Sequence, residues 1–260
     1  MSKFILSLTA VATLCAAGST QAESHHYVSS AKMIGQPIYG TQQERLADVN
    51  SIVINKDGTP LFVVAGVGGV AGIGESEVAI PWSAIKCDTK MKDEQLECHL
   101  SVPMTSKQFE NAPKLEAAEY AELYDEAWLQ KNAHFYAAEA PRDVAQTKDT
   151  ICVSSCTGAD VQTVGKNKPV ATVESLAYDT ATGKFEYLII GYGGTVGIGR
   201  KYTAVPMENI QVKTDENECV CHIHLTEEQL EKQPVVTPAN LPELELESVR
   251  EKLELTQTVN

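Results

Sequence analysis

Short apolar runs rich in β-branched residues recur along the chain, with turn signals between them. Residues 34–39, 49–54, 61–67, 77–81, 84–87 and 97–102 read as strands. The run at 61–67 is almost continuously apolar, as expected of a strand buried on both faces or lining a closed barrel. Lys56-Asp57-Gly58 is a hairpin turn signal. Thr105 then opens a short capped helix that ends near Pro113. A second series follows, with strands over 170–178, 185–192, 202–206, 210–213 and 219–225, and a capping-box start at Thr226 to Gln229. Between the two series, residues 114–138 carry Ala, Glu, Leu and Tyr without Gly or Pro, which predicts a helix. Tyr120, Tyr124, Trp128 and Phe135 fall at helical spacing and form an aromatic stripe. Such a stripe usually docks on the protein's own domains; Tyr120, Tyr124 and Trp128 are also the candidate contacts for a foreign partner. Residues 141–149 read as a polar linker, and 241–255 as a terminal helix in an acidic tail.

The two series are copies. GGVAGIG at Gly68 to Gly74 returns as GGTVGIG at Gly193 to Gly199, and the flanking phrases repeat with it. Val28-Ser-Ser30 matches Val153-Ser-Ser155, and Val78-Ala-Ile-Pro81 matches Thr203-Ala-Val-Pro206. One folding unit has been duplicated. The expected organisation is a signal segment (1–22), repeat one (28–113), a helical connector and linker (114–150), repeat two (151–234) and an acidic tail (235–260). Many short strands with turns between them make the fold class mainly β: two small barrels or rolls, a helical connector and a short C-terminal helix.

Composition adds a location. Lys3, the apolar stretch 4–17 and the small residues before Glu23 have the form of a secretory signal, which places the rest in an exported compartment, the periplasm. No later segment is long and apolar enough to span a bilayer, so no membrane insertion is expected after cleavage. The formal charge is −14, and Lys3 is the only charged residue among the first 22, so the remainder carries −15. That field disfavours nucleic acid as a partner and favours solubility or a cationic protein partner.

Beyond the signal stand Cys87, Cys98, Cys152, Cys156, Cys219 and Cys221. An even number in an exported chain suggests disulfides. Cys87 and Cys98 flank a hairpin turn and are expected to face each other. Cys152 and Cys156 are expected to bridge to Cys219 and Cys221, in either pairing. The phrase Cys219-Val-Cys-His-Ile-His224 suggests a metal cluster, but strand alternation puts the cysteines on one face and His222 and His224 on the other. Those two histidines could form half a site, completed by His25, His26 or His134. Thiol-redox catalysis needs an exposed, low-pKa cysteine at a helix start, which neither Cx3C nor CxC provides. The glycine phrases precede strands, whereas phosphate binding requires a helix N-terminus, so they read as tight connections.

Ser30 to Tyr39, Leu61 to Gly69, Gly72-Ile-Gly74-Glu-Ser-Glu-Val-Ala-Ile-Pro-Trp82 and Thr105 to Pro113 together resemble the PRC-barrel family. Repeat two matches less closely: Met207 stands where repeat one has Trp82, and its first strand lacks the Ile-Gly-x-Pro phrase. The resemblance implies two small PRC-type β-barrels that act as assembly or protein-interaction modules. It implies no catalytic residues and no cofactor. The functional expectation is an exported, non-catalytic scaffold with a protein partner of unknown identity. The alternative is a metal-binding or thiol-redox protein built on strand 219–224.

Overall fold

The computed structural model describes residues 25–68, 76–92, 95–116, 118–141, 144, 150–194, 199–215, 218–239 and 241–257. The expected signal segment and most of both glycine phrases lie outside them. Strands β1 (Tyr27–Ser29), β2 (Pro37–Tyr39), β3 (Arg45–Asn55), β4 (Pro60–Val67), β5 (Ser76–Pro81), β6 (Lys86–Lys92), β7 (Gln95–Ser101) and β8 (Lys114–Leu115) occupy the first copy. Strands β9 (Thr150–Cys152), β10 (Asp160–Thr163), β11 (Pro169–Asp179), β12 (Lys184–Tyr192), β13 (Lys201–Pro206), β14 (Ile210–Asp215) and β15 (Glu218–Ile223) occupy the second.

They form two sheets of matching topology. The first runs β6-β7-β2-β3-β4-β5-β8 and the second β13-β12-β11-β10-β15-β14. In each, the strand that follows the first turn lies parallel to the last strand: β2 beside β7, and β10 beside β15. Among the described residues no strand pair joins the ends of either path. Strands β5 and β13 follow the two glycine phrases, and the flanking Gly68, Gly193, Gly194 and Gly199 all have positive φ. Among the described residues each glycine phrase lies between two strands, β4 and β5 or β12 and β13, and no helix follows it before the next strand.

The continuous apolar runs are explained by burial on both faces. Along β12, Leu188 and Ile190 point into the core shared by both repeats, while Tyr187 and Ile189 point outward. Along β4, Val63 and Ala65 face the shared core, while Phe62 and Val64 face out. Each outer face is covered by the segment that follows its repeat. Leu123, Leu129 and Val144 of the connector cover the first sheet. Val236, Leu241, Leu244 and Leu253 of the tail cover the second.

The connector departs from the expected single helix. Lys114–Leu115 add to β5 as a strand, Ala118–Tyr124 is a 3-10 helix, and the α-helix covers Glu126–Phe135. The Asp125 side chain caps that helix by accepting from the Trp128 N–H at 2.7 Å. Docking onto the sheet overrides the helical preference of the composition. The tail helix runs over Glu247–Gln257 after a 3-10 turn at Pro242–Glu245.

The repeats are interlocked. Strand β1, which opens repeat one, pairs with β11 of the second sheet, Val28 opposite Tyr178. Strand β9, which opens repeat two, pairs with β3 of the first, Ile151 opposite Ile54. Serine hydroxyls fasten both: the Leu176 N–H donates to Ser30 Oγ at 2.9 Å, and the Ser154 N–H donates to Ser51 Oγ at 3.2 Å. The two hairpin tips also meet, with the Phe185 N–H donating to the Gly58 carbonyl at 2.9 Å and Lys184 Nζ 2.8 Å from Asp57 Oδ2. One apolar core runs through both units, from Val28 to Leu230.

Candidate functional site

Among the described residues, one group of chemically competent side chains is a set of thiols in repeat two. Cys156 ends the short helix Val153–Cys156, and Cys219 and Cys221 lie two residues apart on β15. Strand alternation turns both strand cysteines inward. All three are buried, at 2% exposure for Cys156, 7% for Cys219 and 0% for Cys221. Their sulfurs all lie within 4.8 Å of one another, with Cys156 Sγ 2.6 Å from Cys219 Sγ. Contact with Cys156, and then with Cys221, holds the Cys219 thiol well below the ordinary thiol range against the effect of burial. Cys156 shifts upward, raised by its contacts with Cys219 and Cys221 and then by burial. The three sulfurs converge on one point, and their mutual contacts favour ionisation of Cys219 over Cys156.

Cys152 is not part of this group, which corrects the expectation that it bridges to β15. As the last residue of β9 it belongs to the first sheet, where its sulfur lies 3.0 Å from Ser51 Oγ and 3.4 Å from Ser154 Oγ. Burial opposes its ionisation, but hydrogen bonds from Ser154, Ser51 and Ser155 outweigh that and lower its pKa. The exchange of first strands separates Cys152 from Cys156 although only three residues stand between them.

Repeat one handles its cysteines differently. Cys87 on β6 and Cys98 on β7 are joined by a disulfide across the hairpin, with Cα atoms 5.9 Å apart. The equivalent hairpin of repeat two has Val212 at the position of Cys87, Cys219 at that of Cys98 and Cys221 at that of Leu100. The registers agree: Cys87 stands opposite Leu100, and Val212 opposite Cys221.

Among the described residues the His222 and His224 pair is not completed into a three-ligand group. His222 is half-buried and His224 exposed, and among the described residues neither belongs to a group of three metal-competent side chains. Two of the histidines expected to complete it, His25 and His26, are engaged elsewhere. His25 Nδ1 lies 2.5 Å from Asp179 Oδ2, and His26 Nδ1 3.1 Å from Glu245 Oε1. Asp179 also accepts from the Ala181 N–H and the Thr182 hydroxyl, while Tyr27 Oη donates to Glu186 at 2.9 Å. His25, Asp179 and Glu186 therefore secure β1 against the second sheet.

The aromatic stripe faces the protein itself. Tyr120, Tyr124 and Trp128 are half-buried against the outer face of the first sheet. Tyr124 Oη lies 2.6 Å from Thr150 Oγ1, and the buried Asn132 amide donates to the Ala79 carbonyl at 3.0 Å. Beyond this seam, an open cleft of about 420 Å³ is lined by residues 110–114 together with Glu116, Lys131, His134 and Phe135.

The family profile of the PRC-barrel domain matches residues 25–93 and again 149–218. Both matched stretches begin at a strand that pairs with the opposite sheet. No curated protein matches the chain.

Proposed function

The chain belongs to the PRC-barrel domain family, of which it carries two copies, and on that basis we propose that it is an exported, non-catalytic scaffold that holds a protein partner. The domain is generally a non-catalytic module. The observation that carries the proposal is the reciprocal exchange of β1 and β9. It joins two small units, each with limited core of its own, into one rigid platform. Both outer apolar faces are covered by the chain's own segments, so partner contacts fall on the polar rim. The cleft beside Lys131, His134 and the half-buried Phe135 offers a concave surface with both signs of charge. Export is supported by the form of residues 1–22 and by the Cys87–Cys98 disulfide, since such bonds persist in oxidising compartments.

Photo-crosslinking in intact cells tests this reading. A crosslinkable residue at Lys131 or His134 should capture one specific protein from a periplasmic fraction, and one at the exposed Lys166 on the far repeat should not. The captured chain should begin at Glu23. Recovery of the full-length chain from the cytoplasm, or identical capture at both sites, would overturn it.

A further inference from the structure

We propose that Cys156, Cys219 and Cys221 form a three-sulfur binding site for a soft, thiophilic ion of three-fold coordination, best satisfied by a trivalent metalloid such as arsenite. This does not depend on the scaffold reading. Three bonds of about 2.3 Å to a pyramidal centre hold their sulfurs roughly 3.5 Å apart; the three sulfurs here all lie within 4.8 Å of one another, and Cys156 Sγ, 2.6 Å from Cys219 Sγ, draws back slightly to admit the ion.

The number of sulfurs argues against a simple staple. A disulfide would use two and leave the third thiol buried beside it. Repeat one provides the internal comparison. There the equivalent hairpin closes its own disulfide, with Ala31 at the position of Cys156 and Leu100 at that of Cys221. Repeat two has Val212 where repeat one has the hairpin partner, and it carries two further thiols, Cys156 and Cys221, close to Cys219. A disulfide moved elsewhere needs one new cysteine, whereas a three-sulfur site needs two.

Surroundings and charge select the ion. Cys221 is flanked across the sheet by Val161 and Val212, so hard ions that retain water ligands are poorly served. Zinc prefers a fourth ligand, and among the described residues the group holds three ligand atoms. A charge buried without compensation is costly. Three thiolates on a trivalent centre give a neutral adduct, in which As(OH)3 and three thiols form three As–S bonds and release three waters. Each thiol proton leaves with a hydroxide of the arsenite, and no electron is transferred.

The test uses the reduced full chain, titrated with arsenite and, in a separate arm, with zinc. Native mass spectrometry should show one arsenic replacing three hydrogens, and near-ultraviolet absorption should rise to a break at one equivalent. Cys156→Ala and Cys221→Leu borrow the residues of repeat one, so the fold should persist by circular dichroism. Each should weaken arsenite binding by at least about 100-fold as three attachment points become two. Cys152→Ser should bind as the parent does. Zinc should not compete at equal concentration. The proposal is overturned by the absence of a one-to-one adduct, by undiminished binding in Cys221→Leu, or by tighter binding of zinc than of arsenite. Peptide mapping that finds Cys156 joined to Cys219 or Cys221 in protein from the exporting cell would overturn it as well.

Discussion

At Gly58 the backbone sits at φ +80°, and an added Cβ would lie 1.9 Å from the Phe185 carbonyl oxygen. Gly35 has the same φ but nothing within 4 Å of its Cβ position. Gly35→Ala therefore incurs only backbone strain, about 1 to 2 kcal/mol. Gly58→Ala adds a collision with backbone that can be relieved only by parting the hairpin tips. Urea unfolding should show it losing at least about 2 kcal/mol more than Gly35→Ala; equal losses would contradict the contact. Beside it, burial opposes ionisation of Asp57, yet hydrogen bonds from Lys184 and Thr59 outweigh it and lower its pKa. A carboxylate depressed in the folded state contributes stability above its unfolded pKa near 4, and loses it as pH falls through the lower folded value. Both partners are exposed, so the contribution is under about 1 kcal/mol. Asp57→Asn should flatten that part of the acid limb of the stability–pH curve, and an unchanged limb would argue against the pair. Gly58 as a turn glycine was legible in Lys56-Asp57-Gly58. Its contact with Phe185 was not, because nothing local records a neighbour so distant along the chain.

The elements show the same division. The β-branched runs found most strands, because burial on one or both faces leaves its mark in the residues themselves. Strand β10 escaped, since Asp160-Val-Gln-Thr163 is mostly polar and earns its place by pairing with β11 and β15. The connector was read as one helix because composition reports propensity and not the sheet it docks on. Strand alternation placed Cys219 and Cys221 together correctly, but it could not show that Cys152 follows the other sheet. Two element-level outcomes follow. Replacing both Cys87 and Cys98 with Ala opens a loop with a sequence separation of 11, and chemical denaturation should register a loss of about 3 kcal/mol. Full stability without them would mean that the hairpin is held by packing alone. Thr105 and Thr226 each head a capping box with a glutamine three residues on. Thr226→Ala should lower stability by about 1 kcal/mol, and should do so to a similar extent as Thr105→Ala if the copies are equivalent.

For the molecule as a whole, duplication was plain in the sequence, and so was the family. The exchange of first strands was not, because a period of two tells which face a residue takes and not which sheet its strand joins. That exchange turns two sheets into one body with a common core, and the proposed scaffold role rests on it. The full chain should accordingly unfold in a single cooperative transition, by heat or denaturant, with fluorescence and circular dichroism coinciding. The most direct test is hydrogen exchange on a chain lacking residues 25–29. Loss of β1 should raise exchange in β11, in the opposite repeat, while β2 and β3 of its own repeat stay protected. Faster exchange confined to β2 and β3, with β11 unchanged, would show that each repeat keeps its own first strand and would contradict the interlocked architecture.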